Sequence, residues 1–264
     1  MSTDALLTTR DAAQRLGVGP STIKRWADEG VLECVRTAGG HRRFPVERVE
    51  ALLQNHRSPP RDFIEEWVQL LTTDSDEYHV LSAIFGLRAR EGAWYHVCDR
   101  LGAVLEEIGD RWARGSLSVA GEHAASERLH RALMRATETM AMSKDQPGAL
   151  LCLPDGEQHA FGLYFTELVC REAGFHTRPM TRPLPDHEIV DLVHQTNARV
   201  VILTASASSS AERLQGLLHR VAPIVQARRL NLVIGGRGPW PEPLPAGVRI
   251  QHFSGFRSYL DALL

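Results

Sequence analysis

From residue 149 onward, short apolar runs alternate with amphipathic stretches. Such runs are typical of strands buried on both faces of a parallel sheet, with helices covering the sheet. The pattern predicts a doubly wound, five-stranded parallel α/β domain over residues 146–264. The predicted strands are Ala149–Leu153, His176–Met180, Arg199–Thr204, Leu230–Ile234 and Val248–Phe253. The predicted helices are Ala160–Ala173, Asp186–Gln195, Ala211–Ala227 and Phe256–Leu264.

Three unusual loops follow predicted strands of this domain. They contain Glu157 to His159, the small-residue run Ala205–Ser210, and the pair Gly235-Gly236. Ligands of such sheets bind beyond the carboxyl ends of the strands, where these loops converge. Each loop alone is explained by a surface histidine, a flexible serine loop or a simple turn. Together they predict a site for a large ligand.

Residues 62–141 contain almost no proline and show helical apolar spacing, which predicts a four-helix bundle within a domain of residues 58–143. Gly115 is predicted to end one helix, and Ser116 or Ser118 to cap the next. Trp112 then lies at a helix end and Glu122-His123 near a helix start, where all three side chains can reach one pocket. The alternative is a core tryptophan beside a solvated Glu-His pair.

The first 57 residues have the order of a winged helix-turn-helix. Thr9 is predicted to cap a first helix, and Gly17-Val18-Gly19 makes the turn to a second helix over Pro20–Asp28. A hairpin around Ala38-Gly39-Gly40 forms the wing, and a third helix covers Val46–Gln54. Hydroxyls and cations in these positions suit contacts with phosphates and base edges. The predicted DNA-binding residues are Ser21, Thr22, Lys24, Arg25, His41, Arg42 and Arg43.

Charge and composition narrow the class of protein. Formal net charge is −2 overall, but +2 over residues 1–60, −5 over 61–145 and +1 over 146–264. Only the first segment is therefore suited to a polyanion. No apolar run approaches the length of a membrane span, and the N-terminal residues lack the apolar core of a signal peptide. The four cysteines are widely spaced, which predicts neither disulfides nor a zinc site and fits a reducing cytoplasm.

The first segment resembles a known family. The pattern T-x-x-x-A-A-x-x-L-G-V, then T-I-x-R-W, then G-G-H-R-R-F is similar to the DNA-binding domain of MerR-type bacterial transcription regulators. The resemblance implies a dimeric reader of operator DNA with two half-sites. Such small DNA-binding domains bind DNA weakly when alone, but several of them on one oligomer raise the effective concentration of binding domains near the DNA. Oligomerisation can therefore control DNA affinity.

The C-terminal segment resembles cobalamin-binding domains. Glu157-x-His159-x-x-Gly162 is similar to their D-x-H-x-x-G signature, with Glu in place of Asp. The resemblance implies that His159 is the lower axial ligand of cobalt, with Glu157 as acceptor for its other ring nitrogen. It also places the nucleotide tail of the cofactor against the serine cluster, Ser206, Ser208 and Ser209, and against Gly235 and Gly236.

The whole order of segments resembles the CarH-type photoreceptors. The spacing Trp112-x9-Glu122-His123 is similar to that in these MerR-like repressors. The resemblance implies that Trp112 covers the upper face of the cofactor and that Glu122 and His123 support the upper ligand. The resemblance implies that adenosylcobalamin, with methylcobalamin as an alternative, maintains a DNA-binding tetramer in the dark. Light then breaks the cobalt–carbon bond and DNA is released. Some members have a histidine after the tryptophan, where this sequence has Ala113, so another histidine or water would take the cobalt after illumination.

Two other functions compete with the non-enzymatic, light-responsive repressor. A bundle joined to a cobalamin domain also resembles corrinoid proteins of methyl transfer, but the winged head argues against that class. The other alternative is a DNA-binding regulator whose second half binds a different effector or only forms a dimer or tetramer. Cobalamin binding distinguishes it from the repressor.

Overall fold

A computed structural model describes residues 6–16, 20–28, 30–37, 39–49, 59–73 and 76–264. These belong to two compact units, Met1–Arg61 and Asp62–Leu264. The predicted turn at residues 17–19 and the predicted third helix beyond residue 49 lie outside the described residues. The predicted boundary between bundle and α/β domain, near residues 143–146, stays a prediction. None of the described helices has the length and apolar character needed to cross a membrane.

The first unit is a winged helix-turn-helix. Its elements are β1 (Leu6–Thr8), α1 (Thr9–Leu16), α2 (Pro20–Asp28), β2 (Val35–Arg36) and β3 (Arg42–Pro45), and residues 46–49 are helical. The strands form an antiparallel sheet in the order β1-β3-β2. Its core contains Ala12 and Ala13 of α1, Ile23 of α2 and Phe44 of β3. The predicted helix Pro20–Asp28 is confirmed residue for residue.

The start of α1 corrects one prediction. Thr9 is the first helical residue, and the cap is Thr8, whose Oγ1 accepts a hydrogen bond from Asp11 N at 3.2 Å. Asp11 Oδ2 accepts in return from Thr8 N at 3.2 Å and from Thr8 Oγ1 at 2.7 Å. The hydrogen bonds from Thr8 hold the pKa of Asp11 below its ordinary value. Strand β1 was not predicted, because its three residues are too few to show an alternation of apolar and polar side chains.

The second unit begins with four helices, as predicted. They are α3 (Arg61–Thr72), α4 (Glu77–Glu91), α5 (Trp94–Ala113) and α6 (Val119–Glu138). The breaks between them have ordinary local causes. Gly92 ends α4 in the left-handed conformation, at φ 75°. Of the two predicted caps for α6, Ser118 is the one used, and its side chain accepts a hydrogen bond from Gly121 N at 3.1 Å.

The remaining elements form the predicted five-stranded parallel sheet. The strands are β4 (Gly148–Cys152), β5 (His176–Met180), β6 (Val200–Thr204), β7 (Asn231–Gly235) and β8 (Val248–Arg249), and their order is β5-β4-β6-β7-β8. The helices are α7 (Phe161–Glu172), α8 (Asp186–Gln195), α9 (Ala211–Arg228) and α10 (Phe253–Asp261). The chain moves outward in opposite directions from β4 and β6, so the switch point of the topology lies between them. Ligands of this architecture bind there, beyond the carboxyl ends of the strands.

Two apolar cores lie on opposite faces of the sheet. One contains Leu150, Val201 and Leu203 of the sheet together with apolar side chains of α8 and α9. The other is continuous from Ala149, Leu151 and Ile202 of the sheet, through α7 and α10, into the four-helix bundle. The bundle therefore packs as an additional layer on the α7 and α10 side.

The C-terminal elements differ from the predicted boundaries. Strand β8 ends at Arg249 rather than at residue 253, and α10 covers Phe253–Asp261 rather than Phe256–Leu264. The helix starts early because Phe253 N donates to Asp99 Oδ1 of α5, at 3.1 Å. This partner is 154 residues away in sequence, so local pattern gives no sign of it.

Candidate functional site

Glu157 occupies the loop that leaves the carboxyl end of β4, beside the switch point. Gly156 makes the turn before it at φ 78°, a conformation that favours glycine. Glu157 is only 2% exposed, whereas its neighbours Gln158 and His159 are exposed. A buried carboxylate at the ligand-binding edge of a sheet is costly unless hydrogen bonds compensate it.

Four hydrogen bonds compensate the buried carboxylate of Glu157. Its oxygens accept from Ser206 N at 2.6 Å, Ser206 Oγ at 2.9 Å and Ser209 Oγ at 2.7 Å, all on the loop after β6. The fourth donor is the backbone N of His159, at 2.7 Å. Burial alone would raise the pKa of Glu157, but the hydrogen bonds from Ser206, Ser209 and His159 outweigh it, and the net pKa is lowered. Glu157 is therefore ionised and ties the two loops together.

One edge of the His159 ring faces this network. Nδ1 lies 3.4 Å from Glu157 Oε1, 3.3 Å from Ser206 Oγ and 3.4 Å from Ser208 Oγ. The hydroxyls of Ser206 and Ser208 are themselves 2.8 Å apart. The histidine side chain is 63% exposed, and Nε2 lies on the opposite edge of the ring. This arrangement suits metal binding through Nε2, because an acceptor on the other nitrogen fixes the tautomer and orients the ring.

Gly162, Thr204 and Gly235 lie close together at the same edge. A Cβ on Gly162 would lie 3.7 Å from Thr204 Cβ, and one on Gly235 would lie 3.3 Å from Thr204 Cγ2. Thr204 Oγ1 is buried and has no hydrogen-bond partner among the described residues. A buried hydroxyl without a partner costs free energy that a bound polar ligand would recover. Thr204 thus fits a cofactor that brings a polar group to this edge of the sheet.

The Gly235-Gly236 loop is shaped by its close approach to the neighbouring loop. Gly236 has φ 77°, and a Cβ there would lie 2.2 Å from Ala205 O. Gly238 N donates to the same oxygen at 2.9 Å, and Trp240 Nε1 donates to Gly235 O at 3.0 Å. Packing therefore explains Gly236 without a ligand. Its predicted contact with a nucleotide tail stays a prediction.

Helix α6 extends past the start of α7 toward the site. Contacts pair His130 with Tyr164, whose rings stack at 4.4 Å, and Thr137 O with Arg171 Nη1 at 2.9 Å. Both helices advance seven residues between these contacts, so they run parallel, with residue 127 level with the start of α7. At 1.5 Å per residue, Glu122 and His123 lie about 6–8 Å beyond that start, on the side of the strands' carboxyl ends.

Helix α5 reaches the same end from the opposite direction. The N-cap residue Ala93 has no side chain that could cap the helix. Trp94 N donates instead to both oxygens of Glu172, the last residue of α7, at 3.0 Å each. Trp112 lies 18 residues further along, a rise of about 27 Å, whereas all of α7 rises about 17 Å. An ion pair between Arg237, after β7, and Glu106 of α5 joins the strands' carboxyl ends to this part of α5.

Three bundle side chains were predicted to reach one pocket, and the structure pairs two of them with each other. Glu122 Oε2 and His123 Nδ1 are paired at 2.5 Å, and Ser126 Oγ donates to Glu122 Oε1 at 2.7 Å. Trp112 is 51% exposed, so it is not the core tryptophan of the alternative interpretation. Within the described part of the chain, no hydrogen bond joins these three side chains to the His159 loop.

Thr204 and the pair Glu106–Arg237 were missed at the sequence level. Thr204 ends the apolar strand V-V-I-L-T, and a hydroxyl at the carboxyl end of a buried strand is the signal that could have identified it. The pairing of Glu106 with Arg237 joins residues more than a hundred positions apart and leaves no such signal.

The predicted DNA-binding residues of the first unit differ in their surroundings. Ser21, Lys24 and Arg25 are exposed on α2, and His41 is exposed beside β3. Arg42 and Arg43 are only partly exposed, and Arg42 Nη2 donates to Asp28 Oδ1. The side chain of Thr22 lies outside the described residues.

Comparisons with known proteins agree with this organisation. Residues 6–57 match the family model of a helix-turn-helix domain, and residues 73–137 match that of a B12 binding domain. The second match covers α4, α5 and most of α6, the helices that contain Trp112, Glu122 and His123. The chain thus combines a helix-turn-helix domain with a B12 binding domain.

One curated relative and one solved structure extend the comparison. The chain is 24% identical to the HTH-type transcriptional repressor CarH of Myxococcus xanthus, over 85% of this chain and 87% of that repressor. Its structure is similar to the monomethylamine corrinoid protein of Methanosarcina barkeri, with a TM-score of 0.59 and 12% identity, over 77% of this chain and 97% of the other. The expected resemblance to CarH-type regulators is confirmed, and the structural likeness confirms the fold.

Proposed function

We propose that the chain is a cobalamin-dependent, light-responsive transcriptional repressor. Its dark, adenosylcobalamin-bound oligomer binds operator DNA, and illumination releases the DNA. The observation that carries the proposal is the exposed His159 imidazole, oriented at the strands' carboxyl ends by buried Glu157. The helix-turn-helix match and the similarity to a named repressor support the regulatory part. A cytoplasmic location follows from this function.

In this proposal, each part of the site has one task toward the cofactor. His159 Nε2 would hold the cobalt, while Glu157, Ser206 and Ser208 orient the ring through Nδ1. Thr204, Gly162, Gly235 and Gly236 border the space for the nucleotide tail. When bound, an alkylcobalamin supplies a cobalt–carbon bond that visible light can cleave.

The upper side of the site is assigned to the helical bundle. Trp112 would cover the bound cofactor on this side, and the Glu122–His123 pair at the start of α6 would support the cofactor there. The bulky adenosyl group would favour one arrangement of the bundle, and its loss would remove that preference. Methylcobalamin is the alternative cofactor. Ala113 has no atom that could hold cobalt, so after illumination this task would fall to water or to another histidine.

The experiment that tests the proposal follows assembly and DNA binding together. A DNA duplex is first selected from a random-sequence pool by the full chain with adenosylcobalamin in the dark. Particle size and affinity for that duplex are then measured in the dark and after green light. We expect a dimer or tetramer that binds in the dark, and a smaller, weakly binding species after illumination. Equal size and affinity in both conditions would overturn the light-responsive part.

A second test addresses enzymatic function. The proposal makes the chain a regulator and not a methyl-transfer protein, although its fold is similar to that of a corrinoid protein. We expect no transfer of the methyl group from bound methylcobalamin to an added thiol above the rate of free methylcobalamin. Catalysed transfer would favour the corrinoid methyl-transfer alternative.

A further inference from the structure

The recognition helix α2 contains an acidic residue on its basic face. Asp28, the last residue of α2, lies three and four positions after Arg25 and Lys24. Residues at these spacings share one face of a helix. Asp28 is exposed. Its carboxylate therefore lies beside the two cations that the proposed function directs toward DNA phosphates, where an unpaired negative charge would oppose binding.

Arg42 of the wing pairs with that carboxylate. Its Nη2 donates to Asp28 Oδ1, and its side chain is 18% exposed. Arg42 lies two residues before Phe44, which is fully buried, so both side chains are on the inner face of β3. Arg42 Nε is also buried, without a hydrogen-bond partner among the described residues. The side chain thus extends from the inner face of the wing toward α2.

Arg36 of the wing is on the same side of the sheet as Arg42, but it is more exposed. It lies directly opposite Arg42 in the antiparallel register of β2 and β3, next to the tip of the hairpin. Residues opposite each other project to the same side of a sheet. Asp28 already engages Arg42, whereas Arg36 is exposed. Arg36 was not among the residues predicted from the sequence to contact DNA.

We propose that Arg42 is a positioning residue of the DNA-binding surface and that Arg36 makes the wing's phosphate contact. Arg42 neutralises Asp28 beside Lys24 and Arg25, and the same bond fixes the base of the wing to α2. Arg36 carries the cation that this wing presents to the DNA backbone. The inference rests on the proposed function, because it assumes that the winged helix-turn-helix binds DNA.

The test compares four variants of the full chain with adenosylcobalamin in the dark: Arg42→Gln, Asp28→Asn, the double variant and Arg36→Gln. Affinity for a 30-base-pair duplex of mixed sequence (about three helical turns) is measured over a range of salt concentrations. Each phosphate contact contributes about 0.9 to the slope of log affinity against log salt. Far-ultraviolet circular dichroism checks that each variant is folded.

The expected results separate the two arginines. Arg42→Gln weakens binding about fivefold, since an unpaired charge at about 4 Å in water is worth about 1 kcal/mol. Asp28→Asn alone leaves affinity within about twofold of wild type. The double variant returns to within about twofold of wild type and keeps the wild-type salt slope. Arg36→Gln lowers the slope by about 0.9.

Different results would overturn different claims. A double variant as weak as Arg42→Gln, with a slope about 0.9 lower than that of Asp28→Asn, would make Arg42 a phosphate contact. A wild-type slope for Arg36→Gln would remove Arg36 from the interface. If the wild-type chain does not bind the duplex at low salt, the proposed function fails, and the inference fails with it.

Discussion

At the scale of the residue, hydrogen bonds explain why the acidic side chain of Glu157 is buried at an otherwise open edge of the sheet. Its carboxylate accepts four hydrogen bonds, three of them from the loop after β6. Neutral serine and backbone donors hold the charge, so the negative charge remains available to an adjacent imidazole. The longer Glu, in place of the Asp of the signature, reaches both loops and still lies 3.4 Å from His159 Nδ1.

Replacing Glu157 with Gln should destabilise the second unit. In either orientation, the amide NH₂ group would face a backbone N–H, that of Ser206 or that of His159, which cannot accept a hydrogen bond. An unsatisfied buried group costs about 1–3 kcal/mol. Because the pKa of Glu157 is lowered on folding, its stabilising effect is complete above its ordinary pKa and is lost as the pH falls through the folded value. Urea unfolding at pH 7 and at pH 4 measures both effects. Ser209→Ala, which removes one neutral donor, is the milder control. A Gln variant as stable as wild type at pH 7 would contradict this account.

A pair of glycines tests the geometry of the neighbouring loop. Gly236→Ala should destabilise the chain by more than 1 kcal/mol, because φ is 77° and the new Cβ would overlap Ala205 O. Gly216→Ala in helix α9 is the matched control, since nothing lies within 4 Å of its Cβ position. That change should stabilise the chain by about 0.5–1 kcal/mol. Thermal unfolding of both variants measures the contrast, and equal effects would argue against the close approach of the two loops.

At the scale of the element, α5 is held by two capping bonds made between distant helices. Glu172 of α7 caps the start of α5, and Asp99 of α5 caps the start of α10. Neither helix has a side-chain cap at its own N-cap residue. Arg88 strengthens the first cap through a 2.8 Å bond to Glu172. The start of α5 is thus fixed to the α/β layer, whereas its other end carries exposed Trp112.

Removing the first of these caps should loosen the bundle. Glu172→Ala is expected to cost about 1–2 kcal/mol of unfolding free energy, which is the usual value of a helix cap. Glu138→Ala, at the exposed end of α6, is the control and should change stability by less than 0.5 kcal/mol. Hydrogen exchange at residues 94–97 reports directly on the start of α5. Unchanged protection there would show that Glu172 does not cap this helix.

The elements that could be predicted from sequence are those with local causes. Helices α2 and α8 and strand β5 have the predicted boundaries because a proline, a cap or a turn marks them. The start of α10 depends on Asp99, and the serine partners of Glu157 lie about fifty residues away. The convergence of Glu157, His159 and the serines was predictable because parallel strands bring their carboxyl ends together. That Thr204 Oγ1 has no hydrogen-bond partner among the described residues was not predictable, because this depends on packing.

At the scale of the whole molecule, the second unit packs a helical layer against one face of its parallel sheet. The apolar core is continuous between them. A ligand that bound both layers would therefore influence the arrangement of the bundle. The formal net charge is +2 over residues 1–60 and −5 over residues 61–145. Only the first of these segments is therefore suited to DNA.

Trp112→Ala tests the link between the upper side of the site and assembly. Because Trp112 is exposed, the change should leave folding and cobalamin binding intact. We expect the variant to bind adenosylcobalamin with similar affinity but to show little difference in particle size between dark and light. Trp67→Ala, in the bundle core, should instead destabilise the chain by about 3–5 kcal/mol. Light scattering in the dark and after illumination measures the particle size. An undiminished light response would show that Trp112 does not link the cofactor to assembly.

The central claim is that His159 binds the cobalt of a cobalamin at the strands' carboxyl ends. The most direct measurement is the visible absorption spectrum of the chain after incubation with adenosylcobalamin in the dark and removal of free cofactor, before and after green light. We predict retained corrinoid absorbance that changes irreversibly on illumination, and a different bound spectrum for His159→Ala. A wild-type chain that retains no corrinoid absorbance, or identical spectra for wild type and His159→Ala, would contradict the account.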